Sequence, residues 1–403
     1  MSRLEYLNIV DDNYKKILGL LDKKYLVKVE LLSVYEKAFQ SLVGEILKDT
    51  SGELSINLEQ ITRRTCSISF YNNENAFGID ENNPFWMNKK FKLYLGVTND
   101  IDTYWFEQGV FFANNVQNQD EVFTISGIDK GGAIDGSLNT NNVDDAQYII
   151  EVGSDVYKVV YDTMSLSFNL PCGTQSVVDV IPPLVDFYYK DIKVESEISL
   201  DSNAPIGDLI KSLADGYGAE TYYDTSGRLI FKRNYSDVLS NKYDYTPIEW
   251  RYIDDEGLYS DLNLSYEYSA KNTITVYTNS TEFENVSYTA YNDNPCSPIR
   301  VSLVGIRRAD SVEIPYVEEN TNKMLQRCKE YAEYLLTQET FDGLKATFSS
   351  ILIPHMDVGK AISINDKKGG IKDNKFIISS LSMPLDGSNM TVNATQVDFL
   401  TSK

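Results

Sequence analysis

The feature that most constrains the fold of this chain is an alternation of apolar and polar residues with a period of two. It is clearest in Thr65–Tyr71, where the sequence TCSISFY places every second side chain on one face. A period of two is the period of a β-strand. The 28 Tyr and 17 Phe residues favour the same structure, because aromatic side chains suit a pleated surface. The sequence therefore predicts a mainly β (α+β) protein.

Similar segments occur in two regions of the chain, separated by Gly-, Asn- and Asp-containing turns. In the first region the predicted strands are Tyr25–Leu32, Glu53–Leu58, Thr65–Tyr71, Phe91–Val97, Tyr104–Phe112 and Val122–Ile128. In the last region they are Asn263–Tyr268, Thr273–Tyr277, Val286–Tyr291, Ala346–Leu352, Lys360–Ile364, Phe376–Met383 and Met390–Gln396.

Three segments instead repeat apolar residues every three or four positions, which predicts helices. The first lies within the first 21 residues and follows Val10, Tyr14, Ile17 and Leu21. The second begins near Pro205 and ends at Gly216 or Gly218, and a hairpin with a turn at Asp224–Gly227 follows it. The third covers about 318–337, and its apolar face is expected to pack on the second β-rich unit. That face comprises Met324, Leu325, Cys328, Tyr331, Ala332, Leu335 and Leu336.

At 403 residues the chain is too long for one ordinary core, so we expect several domains. The pattern predicts an N-terminal helical arm at 1–24, a β-rich domain at 25–184, a small α+β domain at 185–250 and a second β-rich domain at 251–403.

The charge of the chain argues against stable binding to nucleic acid. There are 59 acidic and 37 basic residues, a formal net charge of −22, and no long Lys/Arg stripe that could neutralise phosphates. The acidity has two interpretations: it keeps the protein soluble, or it forms a wall past which nucleic acid slides. No secretion signal and no apolar run of membrane-spanning length is visible. The four cysteines are too scattered for a metal or redox motif.

Residues that could carry chemistry do not form a recognisable catalytic set. His355 is the only histidine, and no GxSxG motif supplies a nucleophile for it. Gly127–Gly132 (GIDKGG) lacks the spacing of a phosphate-binding loop and is predicted to be a strand ending in a turn. The acidic segment Asp135–Asp145 lacks the EF-hand pattern, although weak calcium binding by this segment is left as an alternative. We therefore predict no catalytic, cofactor-binding or metal-binding residues.

Two weaker alternatives remain. Acidic pairs such as Asp254/Asp255 would suit a cell-wall glycan hydrolase, but pairs are expected by chance among 59 acids. Trp86, Trp105 and Trp250 would suit the sugar groove of a carbohydrate- or receptor-binding protein. Large aromatic side chains inside alternating strands usually belong to a core.

Three short stretches, in this order, resemble the hub proteins of bacteriophage tails and related contractile injection systems, the late-control/VgrG-like hub superfamily. They are Ile61–Phe70 (ITRRTCSISF) with the Gly109–Phe112 strand, Thr124–Gly136 (TISGIDKGGAIDG), and the C-terminal strands Asp357–Ile364, Lys375–Leu385 and Met390–Ala394. Lys360 stands where the family commonly has an acidic residue. The resemblance covers about residues 25–400.

This resemblance implies two tail-tube-like β-barrel domains joined by the small α+β domain, and no enzymatic activity. It also implies a homotrimer with six barrels in a ring, a tail tube or distal tail protein above, and a tip, spike, fibre or tape-measure protein nearby. DNA would be only a passing cargo in the channel. The expected location is the virion tail tip or baseplate, assembled in the host cytoplasm.

Overall fold

A computed structural model describes residues 11–47, 49–72, 77–80, 82–86, 88–138, 147–169, 175–194, 197–233, 246–254, 258–266, 270–278, 286–295, 297–314, 320–341 and 344–397. Its helices are α1 (Asp12–Leu18), α2 (Val156–Met164), α3 (Ile206–Tyr217), α4 (Val301–Val304) and α5 (Thr321–Phe341). The predicted mainly β class is confirmed.

The strands of the first region are β1 (Lys24–Leu32), β2 (Ala38–Val43), β3 (Ser51–Asn57), β4 (Arg64–Tyr71), β5 (Lys90–Thr98), β6 (Thr103–Gln119) and β7 (Val122–Asp129). Those of the middle region are β8 (Gln147–Ile150), β9 (Ser167–Asn169), β10 (Gln175–Val177), β11 (Leu184–Val185), β12 (Ile198–Asp201), β13 (Ala219–Tyr223) and β14 (Leu229–Arg233). The last region contains β15 (Ile248–Ile253), β16 (Tyr259–Tyr266), β17 (Thr273–Tyr277), β18 (Ser287–Tyr291), β19 (Ala309–Glu313), β20 (Leu344–Ser350), β21 (Ala361–Asp366), β22 (Ile371–Pro384) and β23 (Met390–Gln396).

Strands from the two ends of the chain form one 13-stranded sheet. The first seven strands follow the order β3-β4-β7-β6-β5-β1-β2, and the last region contributes β16-β20-β23-β22, with β21 beside β22 and β15 beside β21. The long strand β22 changes partner along its length: Ile371–Ile377 pairs with β21, and Ser380–Pro384 pairs with β3. This β3–β22 junction joins the first and last β units directly.

One apolar core underlies the whole sheet. It includes Phe91 and Phe111 of the first unit and Phe348 and Phe376 of the last, all buried. Helix α1 also belongs to it through Tyr14, Ile17 and Leu18. The predicted N-terminal helix therefore docks on the β-units, while residues 1–10 lie outside the described part of the chain.

A second core lies in the middle of the chain. Helices α2 and α3 pack beside the three-stranded sheet β11-β14-β13, with Val160, Ile210 and Phe231 completely buried between them. The predicted helix and hairpin correspond to α3, β13 and β14, and Gly218 ends the helix with φ near +60°. Glycine suits this left-handed conformation because it has no Cβ to clash.

The long helix α5 packs on strands of the region predicted as the second β-rich unit, but these strands form a separate small sheet with its own core and are not part of the large sheet. Met324, Cys328 and Ala332 lie against strands β17 and β18 of the separate sheet β18-β17-β19. Tyr334 of the same helix packs against a cluster of the large sheet, formed by Ala361, Ile377 and Val397. The sequence pattern showed that one face is apolar, but not which sheet would cover it.

Replacing Ala332 with Asp is expected to lower the free energy of unfolding by several kcal/mol, because the carboxylate would be buried without a partner. Ala332 has no exposed surface. The matched control is Leu325→Asp: the sequence pattern placed Leu325 on the apolar face, but the residue is 44% exposed and should tolerate the charge. Urea denaturation of both variants checks this, and equal stabilities would contradict the burial of the face.

Candidate functional site

The most unusual polar feature is a cluster of buried charges where the first β unit, the middle region and the last β unit meet. We call Glu36, Arg64, Asp129, Lys130 and Asp179 the buried charge cluster. Charged side chains are rarely buried in proteins unless they are paired. In this cluster, the exposed fraction is at most 3% for four of the side chains and 2% for the whole residue Asp129.

Lys130 forms the first half of the cluster. It follows β7 in the segment GIDKGG, which ends the strand and turns, as predicted. Its Nζ lies 2.6 Å from Asp179 Oδ1 and 2.9 Å from Glu36 Oε1, and it donates to the Gly227 carbonyl oxygen at 2.8 Å. Tyr223 donates to the other Asp179 oxygen at 2.9 Å. One ammonium group therefore connects the β1–β2 turn, the segment after β10 and the β13–β14 turn.

Arg64 forms the second half, at the start of β4. Its Nη2 donates to both Asp357 oxygens at 2.7 and 2.6 Å, and its Nη1 donates to the Tyr223 carbonyl oxygen at 2.9 Å. Asp357 lies in the segment between β20 and β21, so this guanidinium connects all three regions. The planar fork of an arginine suits such a two-oxygen contact.

Burial changes the protonation of these groups. It raises the pKa of Asp129 to about 7, although Arg64 and the backbone N–H groups of Arg64 and Gly131 counteract this. Burial also raises the pKa of Asp179, which Lys130 opposes. Burial is also the main reason that the pKa of Tyr223 lies well above its ordinary value. Each charged group of the cluster contacts a neighbouring protein group, although Arg64 Nε has no hydrogen-bond partner, so the arrangement suits a structural clamp.

His355, the histidine considered above for catalysis, is buried beside helix α1. Its Nδ1 lies 2.8 Å from the Tyr14 hydroxyl, and its Nε2 lies 3.5 Å from Glu249 Oε1. Burial raises the pKa of Tyr14 well above its ordinary value, so this hydroxyl is a poor source of a nucleophilic oxygen. Gln108 donates to the adjacent Pro354 carbonyl oxygen at 2.7 Å. The geometry fits a latch that holds α1 on the β-units.

Replacing His355 with Ala is expected to cost about 1–3 kcal/mol of stability, because the buried Tyr14 hydroxyl loses its partner. Tyr14→Phe removes the same hydrogen bond from the other side. The double variant should therefore cost clearly less than the sum of the single variants. Thermal or urea unfolding of the four proteins measures this coupling, and strictly additive losses would show that the two side chains do not support each other.

The other residues singled out in the sequence are dispersed. Trp86, Trp105 and Trp250 are half-buried, and Trp250 packs against the main core. Asp254 lines a surface cavity, while Asp255 and most of Asp135–Asp145 lie outside the described residues. The described portion contains no group of three or more His, Cys, Asp or Glu side chains placed to hold a metal ion.

Cys66 and Cys328 are buried free thiols. Among the helices that the structure describes, none combines the length and apolar character needed to cross a bilayer.

Comparison with solved structures gives matches of the same fold. A tail protein from Neisseria meningitidis MC58 aligns over 94% of this chain and 98% of its own, with a TM-score of 0.58 and 10% identity. The 43 kDa tail protein of prophage MuSo2 from Shewanella oneidensis aligns over 93% and 100%, with a TM-score of 0.59 and 12% identity.

A Francisella PdpA-VgrG complex aligns over all of this chain and 66% of the other, with a TM-score of 0.54 and 12% identity. No protein-family model matches the sequence, and no curated protein matches it. The structural neighbours are thus phage tail proteins and VgrG complexes, and the expected likeness to tail hub proteins is confirmed at the level of the fold.

Proposed function

We propose that this chain is the structural hub of a phage-type tail tip or baseplate. Three copies form a pseudo-six-fold ring that connects the tail tube to the tip or spike and lines the passage for DNA. The observation that carries this proposal is the β3–β22 junction, which fixes two β units side by side within one chain. Two units in each of three copies make six, the number that a six-fold tail tube requires.

The ends of the large sheet support assembly into a ring. Among the described strands, β2 pairs only with β1 and β16 pairs only with β20, so each leaves one edge open. Open edges attract further strands unless they are protected. Contacts between neighbouring copies would cover these edges, and the fold-level likeness to two tail proteins over nearly their whole length agrees with this role.

We infer that the hub has no enzymatic activity. The buried charge cluster and the His355 latch are occupied by structural contacts, and no described residue set resembles a catalytic constellation. Partners would be a tail tube or distal tail protein above and a tip, spike, fibre or tape-measure protein nearby. The particle would be a virion, assembled in the cytoplasm of its host.

The acidic composition fits a wall that DNA passes without binding. Three copies carry a formal charge of 3 × −22 = −66. A ring directs this potential onto its axis, where phosphates would be repelled from all sides. The repulsion acts near the wall, because salt screens it over about 8 Å. An inner wall lined mainly with Lys and Arg would exclude this part of the proposal but not the hub itself.

The decisive experiment is imaging of the assembled tail tip. We expect three copies of this chain, each contributing two β units to one ring. A ring with six copies, each contributing a single unit, would refute the proposed symmetry. The mass of the isolated assembly provides an independent count.

Carbohydrate or receptor binding remains a second candidate because of one surface cavity. It has a volume of about 580 Å³ and is lined by Asp254, Tyr259, Asp261, Asp366 and Lys368 among others. Such carboxylates and hydroxyls can hydrogen-bond to sugar hydroxyls. Glycan binding by the intact chain that is lost in Asp261→Ala would favour this candidate, whereas the hub proposal predicts no glycan binding.

A further inference from the structure

Strands β17, β18 and β19 with helix α5 form a unit inserted into the large sheet. The insertion lies between β16 and β20, which pair directly with each other over Tyr259–Tyr266 and Leu344–Ser350. The inserted unit has its own small core around Val276, Cys328 and Ala332. It is therefore not needed to complete the ladder of the large sheet, and a separate role is open to it.

The inserted unit presents apolar side chains to solvent around helix α4. Leu303 is 56% exposed, Val304 37% and Ile306 63%. The exposed Arg307 follows them, with its Cζ 5.0 Å from the centre of the Tyr291 ring. We call Tyr291, Leu303, Val304, Ile306 and Arg307 the arginine patch. A contiguous group of exposed apolar side chains commonly marks an interaction surface.

The backbone beneath the arginine patch is held rigidly. The side chain of Asn272, which has no exposed surface, donates to the carbonyl oxygens of Ile299 at 3.1 Å and Ile306 at 2.9 Å. Its Oδ1 accepts from the Arg308 N–H at 2.8 Å. A segment fixed in this way loses little conformational freedom when a partner binds. The patch is thus organised in advance for docking.

The charge of this segment is opposite to that of the chain. Arg300, Arg307 and Arg308 are three of only ten arginines, and the stretch between Asp293 and Asp310 contains no Asp or Glu. Arginine and tyrosine are enriched at protein interfaces, whereas lysine is depleted. A matching partner surface combines exposed apolar side chains with carboxylates.

The chain itself carries such a surface on the first β unit, in the connections between α1 and β1 and between β5 and β6. Leu21 is fully exposed (103%) beside Asp22, and Ile101 is 87% exposed between Asp100 and Asp102. We call these five residues the acidic tip. The two segments are neighbours, because Lys24 pairs with Thr98 in the sheet and its Nζ lies 2.7 Å from Asp100. The side chain of Asn13 in α1 also donates to Asp102, at 3.0 Å.

We propose that the acidic tip of one copy docks on the arginine patch of the next copy. Leu21 and Ile101 would cover Leu303 and Ile306, while Asp100 and Asp102 would face Arg307. The contact uses different surfaces on the two partners, which is the type of interface that closes cyclic assemblies. This docking proposal rests on the proposed trimer and specifies one contact between its copies. Nucleic acid would satisfy the arginine but leave the aliphatic side chains in water.

Site-directed cross-linking of the full chain tests this contact. Ile101→Cys and Ile306→Cys variants with different tags are mixed at low salt and treated with a short bismaleimide. The control pair joins Ile101→Cys to Val34→Cys, since Val34 is an apolar residue that is 75% exposed outside both surfaces. The unmodified chain gives the background from its own thiols. We expect tip–patch dimers to exceed the control pair roughly tenfold, because the opposite charges steer the encounter.

Charge reversal provides the second arm. Arg307→Glu should lower the tip–patch yield roughly tenfold at low salt, and adding Asp102→Arg to the other copy should restore it. Arg251→Glu, which changes an exposed arginine outside the patch and carries the same net charge, should have no effect. A tip–patch yield no higher than that of the control pair would overturn the proposal, as would a predominance of tip–tip or patch–patch dimers.

Sedimentation of the unmodified chain separates this inference from the proposed trimer. A trimer without tip–patch cross-links would contradict the docking contact but leave the hub proposal intact. Tip–patch cross-links in an open chain of copies, without a closed trimer, would support the contact and contradict the proposed ring.

Discussion

Replacing Lys130 with Met is expected to lower the free energy of unfolding by about 3–5 kcal/mol, which is the usual cost of removing one partner of a buried ion pair. The change leaves Asp179 without its cation and leaves Glu36 paired with Lys90, and both carboxylate side chains are almost completely inaccessible to water. It also removes the hydrogen bond to Gly227, so the β13–β14 turn loses its contact with the first β unit. Urea denaturation of the purified variant measures the loss.

The matched control is Lys24→Met, whose pair with Asp100 lies on the surface with side chains 61% and 66% exposed. Exposed pairs contribute about 1 kcal/mol or less, so this variant should remain close to the wild type. If Lys130→Met were no more destabilising than Lys24→Met, the buried charge cluster would not be the clamp that its geometry suggests.

The loss in Lys130→Met should depend on pH in a defined direction. Burial raises the pKa of Asp179 in the folded protein, so the folded state takes up a proton before the unfolded state does. Stability then increases as the pH falls through the range between the folded and unfolded values. Removing Lys130 takes away the group that opposes this shift. The variant should therefore recover part of its stability on acidification, and a parallel loss for variant and wild type would argue against this cause.

Replacing Arg64 with Met is the second change with a large expected effect, again about 3–5 kcal/mol for a broken buried pair. Three hydrogen bonds to Asp357 and the Tyr223 carbonyl oxygen disappear together. Arg64 also lowers the pKa of Asp129, so the variant should bind an additional proton near neutral pH. Hydrogen exchange should show faster opening of β13 and of the segment that contains Asp357.

Arg251→Met is the appropriate control, because Arg251 is an exposed residue of β15. It should change stability by less than about 0.5 kcal/mol. Arg64→Lys is informative as well, since a lysine keeps the charge but cannot hold both Asp357 oxygens in a planar fork. An Arg64→Lys protein as stable as the wild type would show that charge alone, and not the forked geometry, holds the three regions together.

Most strands of the large sheet were predictable because one face of each strand is buried. Strand β4 is the clearest example: the alternation in TCSISFY corresponds to alternate burial along Arg64–Tyr71. Helix α3 was predictable for the analogous reason, as its apolar positions recur every three or four residues and Gly218 ends it. Strand β2 was missed, because its side chains are mostly exposed and leave little alternation.

The contacts between distant segments could not be predicted from periodicity. The β3–β22 junction pairs Glu53–Asn57 with residues more than 300 positions later, and nothing local to either strand names its neighbour. The same limit applies to helix α5. Its apolar face could be recognised in the sequence, but the sheet that covers this face could not. The domain boundaries at 24/25, 184/185 and 250/251 stay predictions.

The buried charge cluster was overlooked for a physical reason. In GIDKGG, Asp129 and Lys130 have the sequence pattern of an ordinary polar turn, and only their partners Arg64, Asp179 and Glu36 make the segment special. The segment Thr124–Gly136, which resembles hub proteins, contains Asp129 and Lys130. The resemblance thus marked these residues but gave no reason for their burial. The absence of a catalytic role for His355 stays a prediction, and its hydrogen bond to Tyr14 could not be foreseen from the sequence.

The β3–β22 junction also dictates an order of events during synthesis. Strand β3 leaves the ribosome about 330 residues before its partner in β22, a delay of roughly 15 to 65 s at common rates of translation. During that interval the edge of β3 that will receive β22 has no strand beside it, and nascent chains in this state tend to aggregate. We therefore expect the nascent chain to depend on a holding chaperone until its last strands emerge. Chains truncated before residue 371 should accumulate as aggregates.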